Sequence, residues 1–395
     1  MLWFCGMAGF AALSSPARAQ LQTHTSRAYT IYSDLPKDEV ALYARHMDQV
    51  FAEYQSRFSS FRGKRTGPMP LYLFATQQGY MQFLAGHRID GTNSGGMFFV
   101  QMGAQGLATF IEGSSRAEVF SVLQHEGFHQ FAYNYIGGDL PVWVNEGLAQ
   151  YFEDGIIVGK TMKLGISNQD RIDRVKAALA GNYPLNFDRL LTMSGGQWAA
   201  NLQGDAKLAA LQYAQSWSVV YFLIHGDRGK YRGPFEQYLQ AVSQGRDSSR
   251  AFREAFRSND TTEFRRRWEK FARDHEPDDF TTGLVRMRFL AAGLSYLHGK
   301  GETMPKTLDE LKTRLQAVSF RITRSSHGMA QEFAAADDAN FVYPRGKATP
   351  LPFQLLDPAR DDLPPRIAAP GLKPEPTLVW MKDPGGELVS DVEFR

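Results

Sequence analysis

The chain has 395 residues, enough for two or three domains, and its 43% hydrophobic and 22% charged content is that of a folded globular protein. A formal net charge of only +2 gives bulk electrostatics no purchase on a nucleic acid or an anionic membrane surface, so neither is expected as a partner. The single cysteine, Cys5, excludes an internal disulfide and a cysteine-rich metal site.

The first twenty residues, MLWFCGMAGFAALSSPARAQ, read as an export signal. The apolar run from Leu2 to Leu13 is too short to span a bilayer comfortably. Ala17-Arg18-Ala19 then has the small-x-small form of a cleavage site before Gln20. No Lys or Arg precedes the apolar run, which departs from the usual signal pattern. The expectation is that residues 1–19 are removed. The mature chain is then exported, periplasmic or secreted, with no cysteine and no integral membrane segment.

Tyr29–Tyr32 and Pro70–Phe74 are short and rich in β-branched and aromatic residues, and predict strands. Between them Val40, Tyr43, Met47, Val50, Phe51 and Tyr54 recur at helical spacing over 38–58. A second helix is expected over 76–85, followed by strands at 97–101 and 107–111. This order suggests a small mixed sheet carrying helices. From Ser115 the chain turns helical, with breaks expected at Gly137-Gly138, Gly195-Gly196 and Gly233-Pro234. Helical patterns follow at 208–225, 234–243 and 262–275. Arg265-Arg266-Arg267, beside Trp268 and Phe271, read as the solvated face of the last of these. Glu276-Pro277-Asp278-Asp279 marks a boundary. Beyond it lie a helix pair (283–297 and 307–317), a proline-rich segment and strand-like stretches at 377–381 and 387–394.

The chemistry concentrates between His125 and Glu153. Ser115-Arg-Ala-Glu118 has the form of a capping box, which starts a helix running to Gly137. On that helix His125 and His129 are four residues apart, so both imidazoles project from one face and can share one zinc ion. Glu126, next to the first histidine, can sit beside the open coordination position and take a proton from water. A catalytic zinc wants a third protein ligand. Glu146 lies 17 residues after His129, room for a turn and a returning helix. Flanked by Trp143, Val144, Leu148 and Phe152, it is on a mostly buried segment, where a carboxylate needs a partner. Glu153, two helical turns further along the same face, can accept the free N–H of a ligating histidine.

HEGFH followed by WVNEGLAQYFE resembles the gluzincin metallopeptidases, and most of all their aminopeptidase N branch. It is also similar to uncharacterised exported bacterial gluzincin-like proteins. The resemblance covers roughly residues 28–275, with its specific motifs between Gly95 and Tyr213. It implies an α+β, thermolysin-like zincin catalytic domain: a small mixed sheet, the HExxH helix, then a helical subdomain. That domain would span 28–278, with a small C-terminal α+β module at 279–395. It also implies one Zn2+ held by His125, His129 and Glu146, with Glu126 as general base. Tyr213, 67 residues past Glu146, matches the family's oxyanion-stabilising tyrosine.

One departure narrows the substrate. The aminopeptidases carry Gly-x-Met-Glu-Asn ahead of the zinc helix, and its Glu binds the substrate's free amine. Here Gly95-Gly96-Met97 is followed by Phe98-Phe99, and the nearest acid on that strand pair is Glu112. The expected activity is therefore endopeptidase-like hydrolysis of a peptide or protein substrate lying extended along the strand. The rival reading is a catalytically idle zinc protein of the envelope that captures a peptide or cell-wall strand. The intact Glu126 counts against it.

Overall fold

The computed structural model describes residues 21–61, 63, 67–92, 94–101, 103–137, 140–257, 261–326, 329–382 and 386–395. The expected export signal lies outside them. The fold opens with a five-stranded sheet of order β1-β2-β3-β5-β4. Its strands are β1 (Gln22–Thr25), β2 (Tyr29–Ser33), β3 (Met69–Phe74), β4 (Gly96–Gln101) and β5 (Ala104–Phe110). β2, β3 and β5 are parallel, whereas β1 and β4 run antiparallel at the two edges. Helix α1 (Lys37–Arg57) supplies the crossover from β2 to β3, and α2 (Gln77–Gly86) follows β3.

Period-two alternation sorts the sheet's side chains to two faces. Tyr29, Ile31, Leu71, Leu73 and Leu107 enter one large core with α1 and α3 (Arg116–Phe131), while Phe74, Phe99 and Ala108 pack with Tyr80 and Leu84 of α2. Strand β1 was not expected: its sequence, QTHT, carries no apolar residue, and it pairs with β2 at the exposed rim. The helix α4 (Val142–Glu153) and the short hairpin β6 (Ile156–Val158) and β7 (Thr161–Lys163) come next. Seven helices follow: α5 (Gln169–Ala180), α6 (Phe187–Thr192), α7 (Gly195–Gly204), α8 (Ala206–His225), α9 (Arg232–Ser243), α10 (Ser248–Phe256) and α11 (Thr262–Asp274).

Two of the expected glycine breaks mark helix starts, the second where a helix over 234–243 is expected. Ser194 caps α7 through a reciprocal pair with Gln197, so Gly195-Gly196 fall in its first turn. Gly233-Pro234 lie in the first turn of α9, where a proline's missing N–H costs nothing. The third break holds: Gly137 takes a positive φ of 73° immediately after the helical segment that began at Ser115. On α11, Phe264, Trp268 and Ala272 are buried, while Arg266 and Arg267 stay exposed and pair with Glu263.

A second apolar cluster forms around α12 (Asp279–Gly299), α13 (Leu308–Ala317) and an antiparallel four-stranded sheet. The hairpins β8 (Arg321–Ser326) with β9 (Met329–Ala334) and β10 (Val342–Arg345) with β11 (Ala348–Pro352) precede that sheet. The sheet consists of β12 (Gln354–Leu356), β13 (Arg366–Ala368), β14 (Pro376–Lys382) and β15 (Leu388–Phe394). The region is thus a small C-terminal α+β unit. Among the described residues no helix is long and apolar enough to cross a membrane.

Helix α8 is buried around nearly its whole circumference and forms the spine against which α4 packs. The two helices meet at Gly147, where an added Cβ would lie 2.7 Å from the Ser216 carbonyl oxygen and 2.7 Å from Val220 Cγ2. The first of these is backbone and cannot swing aside. Gly147→Ala would add helix propensity worth about 1 kcal/mol, but overpacking costs about 1–3 kcal/mol. The expected outcome is a lower melting temperature in a thermal scan. A variant that melted at or above the parent would contradict this close packing.

Candidate metal centre

The zinc-type motif begins on a helix whose start is defined by its own side chains. The Glu118 amide bonds to Ser115 Oγ at 3.3 Å, and the Ser115 amide donates to Glu118 Oε2 at 2.7 Å. The apolar side of α3 follows from the sequence pattern: Val119, Leu123, Phe128 and Phe131 are buried against α1. Phe120 is half-buried, packs against the same core and stacks on His46 at 3.7 Å.

Gln124 positions α4 against α3. Its side-chain amide donates to the carbonyls of Phe152, Glu153 and Gly155 at 2.7, 3.0 and 3.0 Å, satisfying acceptors that the end of α4 leaves open. Its own oxygen lies 2.9 Å from His46 Nε2. At the other side of α4, Gln150 donates to the Tyr213 carbonyl at 3.1 Å, tying the helix to α8.

This scaffold brings His125, His129 and Glu146 together, with one donor atom from each lying within 4.8 Å of the others. Glu146 Oε2 is 3.4 Å from His125 Nε2 and 3.6 Å from His129 Nε2. Those spacings exceed the 2.7–3.2 Å of ordinary N–H···O bonds. They match the edge of about 3.3 Å that ligands at about 2.0–2.1 Å make around a tetrahedral ion. Glu146 Oε2 is buried and has no hydrogen-bond partner. The three side chains retain only 12–17% exposure. A buried anionic oxygen with no donor, facing two imidazole nitrogens at ligand spacing, fits a divalent cation.

The electrostatics agree. Burial disfavours a charged imidazole at both histidines, yet Glu146 and Glu153 outweigh it at His125, and Glu146 outweighs it at His129. Burial likewise pushes the Glu146 carboxyl up, but His129 and His125 hold it below the usual carboxylate range. Surroundings that favour a proton on these rings favour a dication between them.

Glu153 stands where the sequence places it, with Oε2 2.9 Å from His125 Nδ1, which leaves Nε2 turned toward Glu146. Glu126 projects toward the sheet edge, and its Oε2 accepts the Phe98 amide at 2.7 Å. Tyr213, on α8, has its ring edge-on to Trp198 at 5.0 Å. Burial raises its phenol pKa, and the charge of Glu146, with smaller contributions from Glu126 and Glu153, raises it further. The hydroxyl is therefore a neutral donor within the electrostatic reach of all three carboxylates. Glu112, the nearest acid considered for an amine, accepts the Gln77 amide at 2.8 Å and so caps α2.

Beside His129 and Glu146 opens a cleft of 680 Å³. A π-helical turn, Ala132–Ile136, follows α3 directly and carries Tyr133, which is 52% exposed with its ring 5.6 Å from that of Phe98. Sequence reading missed this aromatic wall, although Tyr133 lies four residues past His129 and so falls on the histidines' face of the helical segment. It also missed Arg171 on α5, which bonds Glu153 at 3.0 Å and pairs closely with Asp154.

A family described as "Protein of unknown function (DUF1570)" matches residues 119–246, the stretch holding both histidines, Glu126, Glu146, Glu153, Arg171 and Tyr213. No curated protein matches the chain.

Glu153→Gln keeps the shape but removes the charge that orients and strengthens His125. Zinc affinity, read by competition with a chelator, is expected to fall by roughly 10-fold or more. An unchanged dissociation constant would leave Glu153 with no part in holding the ion.

Proposed function

We propose that the protein is a zinc-dependent peptidase that cleaves within polypeptide chains. His125, His129 and Glu146 hold the ion, Glu126 is the general base, and Tyr213 steadies the oxyanion. One observation carries this reading: Glu126, adjacent in sequence to His125, reaches the exposed backbone of edge strand β4. The strand residue it meets, Phe98, lines the same cleft as His129 and Glu146.

When bound, zinc supplies a Lewis acid that acidifies water and polarises the scissile carbonyl. Glu126 takes the proton of the attacking water and passes it to the departing amine. The Tyr213 hydroxyl donates to the carbonyl oxygen as negative charge grows there.

The sheet edge provides for the substrate backbone. In the β4–β5 pair, Phe98 stands opposite Leu107 and Val100 opposite Gln105. The Phe98 amide points outward to Glu126, so antiparallel alternation turns the Phe98 carbonyl and both main-chain groups of Val100 outward as well. An extended peptide can pair with them. Among the described residues that line the cleft, Glu146 is the only carboxylate and none is a lysine or arginine. Beyond Glu146, assigned to the ion, and Glu126, assigned to the water, the described lining offers no charge to pair with a substrate's terminal ammonium or carboxylate, and desolvating either unpaired would cost several kcal/mol. Interior peptide bonds fit it better than chain ends. The export signal expected at the N-terminus would place this activity outside the cytoplasm.

The test compares a peptide blocked at both ends with an aminoacyl anilide, using wild type and Glu126→Gln. Wild type is expected to cleave the blocked peptide in preference. Glu126→Gln should keep its zinc while kcat falls by about 100-fold or more. Efficient anilide turnover abolished by acetylating the amine would return the protein to the aminopeptidases. An active Glu126→Gln would remove Glu126 as the base.

A further inference from the structure

We propose that Arg171 is a positioning residue of the metal centre, acting through Glu153 to set the orientation of His125. The inference rests on the reading of His125, His129 and Glu146 as a zinc site. It adds a residue from outside the motif, 46 positions beyond the histidine it serves.

The two oxygens of Glu153 are divided between two partners. Oε2 lies 2.9 Å from His125 Nδ1, and Oε1 lies 3.0 Å from Arg171 Nη2. A carboxylate held at both oxygens can neither rotate nor swing away, so the imidazole it holds is fixed in turn. The guanidinium is itself fixed. Its Nη1 pairs with Asp154, whose other oxygen accepts from Asn168 Nδ2 at 2.9 Å. Asn168 also caps α5, accepting the Arg171 amide at 3.2 Å, and the guanidinium sits 5.8 Å from the Trp217 ring of α8. The Arg171 side chain is only 14% exposed.

The alternative is a structural ion pair with no bearing on the ion. Charge argues against it. Glu153 and Asp154 are consecutive, both largely buried, and directed at one cation. Without Arg171 the two like charges repel in a poorly solvated place. Glu153, at 28% exposure against 15% for Asp154, is the one with water to turn toward, and turning abandons His125. A planar fork is needed to hold both carboxylates together, which a lysine ammonium matches only in part.

The experiment is a double-mutant cycle read by zinc affinity. The purified full chain is loaded with zinc alone and titrated against a chelator, for wild type, Arg171→Met, Glu153→Gln and the double variant. The visible spectrum of the cobalt-loaded forms is recorded in parallel. Arg171→Met is expected to weaken zinc binding about 10-fold or more and to shift the cobalt bands. In the Glu153→Gln background the same change should cost little further, because the interaction it supports is already gone. Arg171→Lys should restore part of the affinity, and it keeps the test open if the methionine variant does not fold. Unchanged affinity in Arg171→Met, or in Arg171→Lys as the fallback, would overturn the inference. So would an equal loss in both backgrounds. A wild-type chain that takes up no zinc would overturn the metal reading, and this inference with it, before any variant is compared.

Discussion

The grip of Gln124 on the end of α4 is the contact on which the metal centre depends. One side-chain amide, buried between His46 and three carbonyls, fixes the C-terminal turn of α4 against the zinc-type helix. Glu153, in that turn, is thereby set beside His125. Glu146, two turns back, is set between His125 and His129. The position beside Gln124 in sequence is His125 itself. The residue that holds the two helices together and one of the candidate ligands are thus adjacent on α3, and a shift of one moves the other. Buried polar networks of this kind rigidify a site only when every member is satisfied, and Gln124 is.

Much of this centre was legible in the sequence because it is local. A four-residue spacing on a capped helix fixes which face two histidines share, and the same argument carries Glu146 and Glu153 along α4. The parallel core strands β2 and β3 and their crossover α1 were legible from apolar periodicity alone. The polar edge β1 was not, because a strand whose four residues carry no apolar side chain has no alternation to read. Nor were α5, α6, α7 and α10. These are short helices begun by Asn168, Asn186, Ser194 and Asp247, caps that resemble loop residues until the structure shows which amides they accept. Strands β12 and β13, three residues each, fall below the length at which periodicity says anything. Arg171 was invisible for a different reason. Its pairing with Glu153 is set by how α5 packs on α8, and nothing in the spacing of the two residues encodes that.

The departure at Phe98 gains physical content from the structure. In the aminopeptidase N pattern that position carries a carboxylate; here it carries a ring that faces Tyr133 across the cleft. The backbone amide of the same residue holds Glu126. One residue therefore contributes an apolar wall through its side chain and steadies Glu126 through its main chain. Glu112, the nearest acid in sequence on that strand pair, is occupied in capping α2. The chemistry implied by the ligand set and the substrate implied by the cleft are separable, and only the second departs from the resemblance.

The central claim is that His125, His129 and Glu146 hold an ion. Elemental analysis of the full chain, purified without chelators, tests it most directly, with His129→Ala analysed beside it. The account predicts about one zinc per folded wild-type chain and its loss from the variant, whose two remaining ligands hold the ion poorly. A folded wild-type protein free of metal, and still free of it after equilibration with zinc, would contradict the account.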